Sequence, residues 1–273
     1  MPPPGPEHLP APSELLARFS SGSTPVRWDQ QLPSTAEITQ LYGAKATAES
    51  LRLLERTIST EPRITAQFLA AMPPSASAHR LECRIKSPDS LARKLHDLQR
   101  SKRRHPPDDL LRYTAFTEAP DTLVDAARET CDELRRAGWQ IRYAKQSYTE
   151  GSRYKGIHGY FVTPSDDQVE VQFHSVASMQ VKDATRPWYE IERDARSSPE
   201  ERLAAREECV RLSATLQEPP GIGTLTELGG LRVAVSNYSD HRKPANAPDG
   251  VRSSDNRGAP QAPTPTRSDG IGR

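Results

Sequence analysis

Between residues 81 and 95 the chain reads LECRIKSPDSLARKL, and three of its cations and one of its hydroxyls fall at Arg84, Lys86, Lys94 and Ser90. Leu81, Cys83 and Ile85 alternate with Glu82, Arg84 and Lys86, which predicts a strand. On a strand, Arg84 and Lys86 share one face about 7 Å apart. Ser87 and Pro88 then suit the cap and first position of a helix. On that helix Ser90 and Lys94 stack one turn apart, about 6 Å. Three cations, a hydroxyl and a helix N-terminus meeting in one place make a polyphosphate site. The same residues would also make an ordinary solvated strand edge and helix face.

Asp109 opens the run DLLRYTAF, which reads as a strand. A carboxylate at a strand end can hold Mg²⁺, and it can equally be a turn residue. Tyr154 lies between Gly151 and Gly156, where backbone can approach a ligand and a ring could stack on a base. Further on, Val169, Val171 and Phe173 alternate with Glu170, Gln172 and His174. That strand buries its apolar side and puts an acid, an amide and an imidazole on the other, where a solvated face is the ordinary alternative.

The elements that must position these residues lie in the middle of a chain of 273 residues with net charge +1. So balanced a charge gives no global field towards nucleic acid or membrane. Three widely spaced cysteines (Cys83, Cys131, Cys209) suit neither a disulfide framework nor a zinc site, and fit a reducing compartment. The start, MPPPGPEHLPAP, has no secretory pattern, and no apolar run is long enough to span a membrane, so a cytoplasmic location is expected. Residues 1–33 are rich in Pro and Ser and read as disordered, and residues 218–273 read as a mostly disordered tail. The folded domain is expected over 34–217.

Within it, Ser34 and Glu37 form a capping-box pattern before a helix weakened at Gly43, and a second short helix is expected near 61–71. Helices are also expected from Pro88 onward, with Leu91, Leu95 and Leu98 as the buried stripe, and at about 121–137, 178–194 and 199–216. Strands are expected at 81–86, 110–116, 139–147, 157–163 and 168–175. This order predicts an α/β (α+β) domain with a mixed sheet of about five strands flanked by helices.

Taken together, RIKSPDSLARK, DDLLRYTAF, YKGIHGYF and VEVQFHS follow one another as the motifs of a known family do. Over about residues 60–195 the chain resembles the RelA/SpoT-type alarmone synthetase domain. That resemblance implies a nucleotidyltransferase-like synthetase fold. It also implies transfer of the β,γ-pyrophosphoryl group of ATP to the 3′-hydroxyl of an acceptor, with Mg²⁺. Arg84, Lys86, Ser90 and Lys94 match the ATP-binding motif. Asp109 matches the metal-binding acid, and Glu170 matches the acid that aids the metal or activates the hydroxyl. Tyr154 matches the ring that stacks on the acceptor base. His158 and Gln172 match acceptor-side residues, and His174 stands where the family more often has Arg.

Three departures bear on the acceptor. Arg112 and Thr114 replace the family's Gly and Arg, Gly156 stands at a Ser position, and Arg153 precedes the Tyr. These features look more like the toxic small synthetases. GDP or GTP, adenosine nucleotides and the 3′ end of tRNA are then all candidate acceptors, and an antitoxin is a candidate partner. The basic residues Arg100, Lys102, Arg103 and Arg104 would suit an RNA backbone, or a solvated helix end. The competing reading is a non-catalytic module that binds nucleotide or RNA. Asp109 and Glu170 speak against it, because binding alone has no need of both.

Overall fold

A computed structural model describes residues 5–21, 24–28, 31–101, 107–194 and 196–239. Six helices are present among them: α1 (Pro12–Phe19), α2 (Thr35–Ala71), α3 (Pro88–Arg100), α4 (Leu123–Arg136), α5 (Val176–Arg193) and α6 (Pro199–Ala214). Seven strands join in one mixed sheet: β1 (Ala76–Ala78), β2 (Leu111–Thr117), β3 (Gln140–Gln146), β4 (Ile157–Val162), β5 (Gln168–Ser175), β6 (Glu227–Leu228) and β7 (Leu231–Val235). Their spatial order is β1-β2-β5-β4-β3-β7-β6. The central pair, β2 and β5, is parallel; β5, β4 and β3 run antiparallel.

The helix starts follow local chemistry. Ser34 and Glu37 exchange both bonds of a capping box, and Ser198 with Glu201 does the same at α6. Gly43, at φ 80°, breaks α2 near its start, and the helix then runs on through Pro62 where two separate helices were expected. Leu111, Tyr113 and Ala115 share a face with Val169, Val171 and Phe173, and all six are buried. Phe68 of α2 stacks on Tyr113 at 4.6 Å, and α4 packs on β2, β5 and β3. This apolar side of the sheet is the core.

Three expectations need correction. Residues 81–86 form no strand. Leu81–Cys83 make one 3₁₀ turn after Arg80 at φ 52°, and a lone bridge joins Ile85 to Leu111. Cys83 is exposed, so the alternation is not one of burial. The N-terminal segment is not all disorder either: α1 buries Leu15 and Phe19, and Val26 and Trp28 join the same core. Trp28 donates its indole N–H to the Ile85 carbonyl at 3.0 Å, and Arg27 N–H bonds the Glu82 carbonyl at 2.6 Å. Composition hid this helix, because its short apolar stripe (Pro12, Leu15, Leu16 and Phe19) is set among Pro- and Ser-rich residues. Past residue 217, Ile222–Val235 add two strands to the sheet, with β7 parallel to β3, where a mostly disordered tail was expected. Residues 240–273 of the expected tail lie outside the described residues.

Trp28→Ala should therefore lower unfolding stability by about 3–5 kcal/mol, as for a buried aromatic. Urea titration checks it, and a change within about 0.5 kcal/mol, usual for a surface site, would put residues 24–28 outside the cooperative fold.

Candidate active site

The face opposite the core is polar. Register puts Arg112 beside Glu170, Thr114 beside Gln172 and Phe116 beside His174. Across the next pair, Tyr160 faces Glu170 and His158 faces Gln172; beyond that, Lys145 faces His158 and Tyr143 faces Tyr160. Four strands thus contribute to one surface. Its centre is not solvated: Glu170 and Gln172 are each 5% exposed, His158 4% and His174 0%, while Arg112 at its edge is exposed. A buried polar face is unlike an ordinary half-buried sheet, which keeps its polar side in water.

At one end of this face lies an ionic cluster. Lys86 Nζ is 2.8 Å from Asp109 Oδ2, and Lys94 Nζ is 2.6 Å from Asp109 Oδ1 and 2.5 Å from Asp108 Oδ1. Burial alone would push the Asp109 carboxyl up, but the two ammonium groups hold it below its ordinary value. Burial pushes Lys86 down despite Asp109, whereas the two aspartates outweigh burial and push Lys94 up. Lys94 reaches Asp109 because it sits one turn into α3. Ser90, half-buried, lies in the first turn of that helix, and the Ser87 side chain makes no cap hydrogen bond there.

Arg84 does not join this cluster. The 3₁₀ turn sends its side chain to α2, where Nε meets Glu61 Oε1 at 2.5 Å and both side chains are buried. Glu61 also accepts from Thr65, whose hydroxyl lies 2.8 Å from Tyr113 OH. The expectation that Arg84 and Lys86 share a face is therefore corrected: Arg84 belongs to a network on the Tyr113 side of the sheet.

Farther across the face, His158 Nδ1 lies 2.8 Å from Glu170 Oε1, and Tyr160 OH donates to the same oxygen at 3.0 Å. Burial would raise the Glu170 carboxyl, but its bond to His158 wins and holds it well below the usual range. Burial pushes the His158 imidazole down. Glu170 is thus an anion kept ionised by neighbours, and His158 Nε2 is buried with no partner among the described residues.

Tyr154 is enclosed by rings. His158, His174 and Tyr238 lie edge-on at 5.5, 5.7 and 5.4 Å between centroids, and Lys182 Nζ is 6.0 Å from its ring. The Tyr154 hydroxyl meets His174 Nε2 at 2.8 Å, and His174 Nδ1 meets Ser178 Oγ at 3.0 Å. A Cβ on Gly156 would stand 2.9 Å from that hydroxyl and 3.0 Å from the His174 ring. Gly at 156 and His at 174 are therefore two halves of one local solution. Arg153, the other departure, is ion-paired with Glu192 of α5 and accepts at its carbonyl from Ser213 of α6.

Sequence reasoning missed three residues here. Lys145 sits 5.3 Å from the Tyr160 ring and 5.0 Å from the Tyr238 ring, where it feels Glu170, Asp108 and Lys94. Its phase on β3, in step with Tyr143, was the available signal. Lys182 of α5 donates to Gln172 Oε1 at 2.8 Å, and burial together with Arg112 pushes it down to about 8. Tyr238 arrives from beyond the expected domain boundary, and nothing in its local sequence marks it.

Among the described residues no three or more His, Cys, Asp or Glu side chains are grouped to hold a metal alone. Mg²⁺ needs only one or two carboxylates, with water and phosphate completing its shell. Asp109 already draws two cations to its oxygens, so its chemistry fits such an ion. Glu170, the other expected ligand, has one oxygen committed to His158 and Tyr160. Of the expected RNA-binding residues, Arg100 ends α3, and Lys102, Arg103 and Arg104 lie outside the described residues. No helix among the described residues is long and apolar enough to cross a membrane.

This is a mixed sheet flanked by helices, and in its motifs the chain resembles the small, toxic branch of RelA/SpoT-type synthetases. Among solved structures it is similar to the Type VI effector Tas1, seen in a crystal structure of the complex with its immunity protein. Identity is 19% and the TM-score 0.36, over 68% of this chain and 97% of that one. It is also similar to the small alarmone synthetase 1 from Bacillus subtilis, at 14% identity and TM-score 0.34, over 58% of this chain and 88% of that one. No family model and no curated protein matches the chain.

Two measurements test this geometry. Arg84→Ala should cost about 3–5 kcal/mol by stranding buried Glu61, and the pair Arg84→Met with Glu61→Leu should recover most of it. Failure of the double variant to recover in urea titration would argue that Arg84 acts elsewhere. Lys182 should keep its charge below pH 8 and lose it as pH rises through about 8. Amine labelling followed by mass spectrometry should half-label Lys182 near that pH. Titration together with surface lysines near 10.4 would overturn the assignment.

Proposed function

We propose that this protein is an ATP-dependent pyrophosphokinase that moves the β,γ-pyrophosphoryl group of ATP to a 3′-hydroxyl. The observation that carries the reading is one buried polar sheet face with the Lys86–Asp109–Lys94 cluster at one end and an ionised Glu170 beside it. A binding module gains nothing from desolvating a carboxylate, whereas an active site does.

In this reading Lys86 and Lys94 exchange Asp109 for the triphosphate, and Ser90 and the α3 N-terminus add hydrogen bonds. Asp109 would hold Mg²⁺, which when bound would supply charge neutralisation on the phosphates. Glu170 accepts a hydrogen bond from the attacking hydroxyl and orients it in line with the β-phosphorus, while His158 and Tyr160 fix the carboxylate. Its lowered basicity makes it an orienting group first: as the new O–P bond forms and the bond from the β-phosphorus to the departing AMP oxygen breaks, the hydroxyl proton passes by way of Glu170 to solvent. Tyr154 takes the acceptor base, with Gln172, His158 and His174 behind it. Lys145 and Lys182 bring two further cations to the acceptor side. Adenosine and guanosine nucleotides and the 3′ end of tRNA are the acceptors in contention. The toxin-like motifs extend the proposal to a growth-inhibiting role in the cytoplasm, with a neutralising protein partner.

The test is incubation with γ-labelled ATP and Mg²⁺ and with GDP, GTP, AMP or bulk tRNA in turn. Label should enter one acceptor class, and Glu170→Gln should cut the rate about 10²–10³-fold, the usual loss for one orienting or electrostatic group. For tRNA, affinity should also fall steeply with salt, and alanine at Arg100, Lys102, Arg103 and Arg104 should flatten that slope. No labelled acceptor, with ATP still bound, would leave the binding-module reading in its place.

A further inference from the structure

Four residues beyond β7 lie across the acceptor end of the polar face. The Ser236 amide donates to the Gln146 carbonyl at 2.9 Å, and Asn237 Nδ2 to the Glu150 carbonyl at 2.8 Å. The Tyr238 amide reaches Ser152 Oγ at 3.4 Å, and Arg153 N–H donates to Ser239 Oγ at 3.1 Å. Asn237 Oδ1 in turn accepts from the Ser239 amide at 2.8 Å, which shapes the turn. These bonds clamp the segment onto the loop that carries Tyr154.

Tyr238 is delivered by that clamp. Its ring lies 5.4 Å from the Tyr154 ring at an interplanar angle of 86°, and Lys145 lies 5.0 Å from its centroid. The other neighbours of Tyr154 cannot leave without unmaking the fold: His158 is on β4, His174 on β5 and Lys182 on α5. Tyr238 alone among them stands on a non-strand, non-helical segment, tied at its start to the end of β3 by Ser236 and otherwise by hydrogen bonds to the loop that carries Tyr154. An arriving base needs a ring face of Tyr154, and Tyr238 is the group that can yield it.

We infer that residues 236–239 are a built-in strap, with Tyr238 seated where the acceptor base must stack, so that acceptor binding requires the strap to lift. This rests on the reading of Tyr154 as the acceptor-base platform. An edge-to-face ring pair and a cation beside it stabilise the closed state modestly, so the open state is a minority, and acceptor affinity is reduced by that minority's fraction. Removing the plug should return it.

The experiment measures equilibrium binding of GDP and of ADP, and separately of α,β-methylene ATP, to four full-length proteins: wild type, Tyr238→Ala, Tyr238→Phe, and Tyr238→Ala with Tyr154→Ala. Tyr238→Ala should bind GDP or ADP about tenfold more tightly, as expected for releasing a closed state of this kind. Tyr238→Phe should match wild type, because the ring is what fills the seat, and this variant also reports on folding. α,β-Methylene ATP should bind all four alike. The gain should vanish in the double variant. If GDP or ADP binds through Tyr154 but Tyr238→Ala leaves affinity unchanged or weaker, the strap is wrong and Tyr238 is a wall of the seat. If no variant's nucleotide binding depends on Tyr154, the platform reading itself fails, and the strap with it.

Discussion

The parallel register of β2 on β5 is the constraint on which the rest depends. With Leu111 opposite Val169, the buried Leu111, Tyr113, Ala115, Val169, Val171 and Phe173 fall on one side, and Arg112, Thr114, Glu170, Gln172 and His174 on the other. Side chains on a strand alternate, so a slip of one residue would turn Glu170, Gln172 and His174 into the core and Val169, Val171 and Phe173 out of it. Six buried apolar side chains against α2 and α4 forbid that slip. The core therefore does more than stabilise: it sets which carboxylate meets which imidazole on the far side. Arg112 beside Glu170 and Lys145 beside His158 are outcomes of the same register carried through four strands.

Burying so many polar groups has a cost that only mutual pairing can offset. The pairing is thorough. Asp109 stands between two lysines, Glu170 takes two donors, Gln172 takes Lys182, and Tyr154 meets His174. These partnerships keep the groups ionised or oriented without a ligand, which is the preorganisation an electrostatic site requires. They also account for two of the unusual residues. Arg153 answers Glu192, and Gly156 leaves room for the contact between Tyr154 and His174.

Much of this was legible from sequence because it rests on short-range pattern. The alternation of Val169 to His174 named both the buried and the polar side of β5, and Ser34 with Glu37 named the start of α2. Long-range partners were not legible. Arg84 and Lys86 look alike in a two-residue alternation, and only Glu61, on another helix, separates a buried ion pair from a site cation. The α1 helix and Trp28 were hidden by their Pro- and Ser-rich surroundings, since composition averages over a segment and packing depends on single side chains. Tyr238 reaches the site from a chain position remote from every motif, and Lys182, though it opens the helix stretch KDATRPWYEIER just after VEVQFHS, stands outside the quoted site motifs, so spacing did not single either out.

The placement of β7 has a consequence for the order of synthesis. Strands β2, β5, β4 and β3 are all complete once residue 175 has been made, whereas the segment lying over Tyr154 ends at residue 239. At translation speeds of about 5–20 residues per second, those 64 residues (239 less 175) take roughly 3 to 13 s. Any pairing of these four strands in that interval leaves Tyr154 without Tyr238 over it. During that interval the nascent chain would present a more open surface than the finished protein, on the ribosome and among nucleotides and tRNA. Chain order thus gives the molecule an early and a late form from a single sequence.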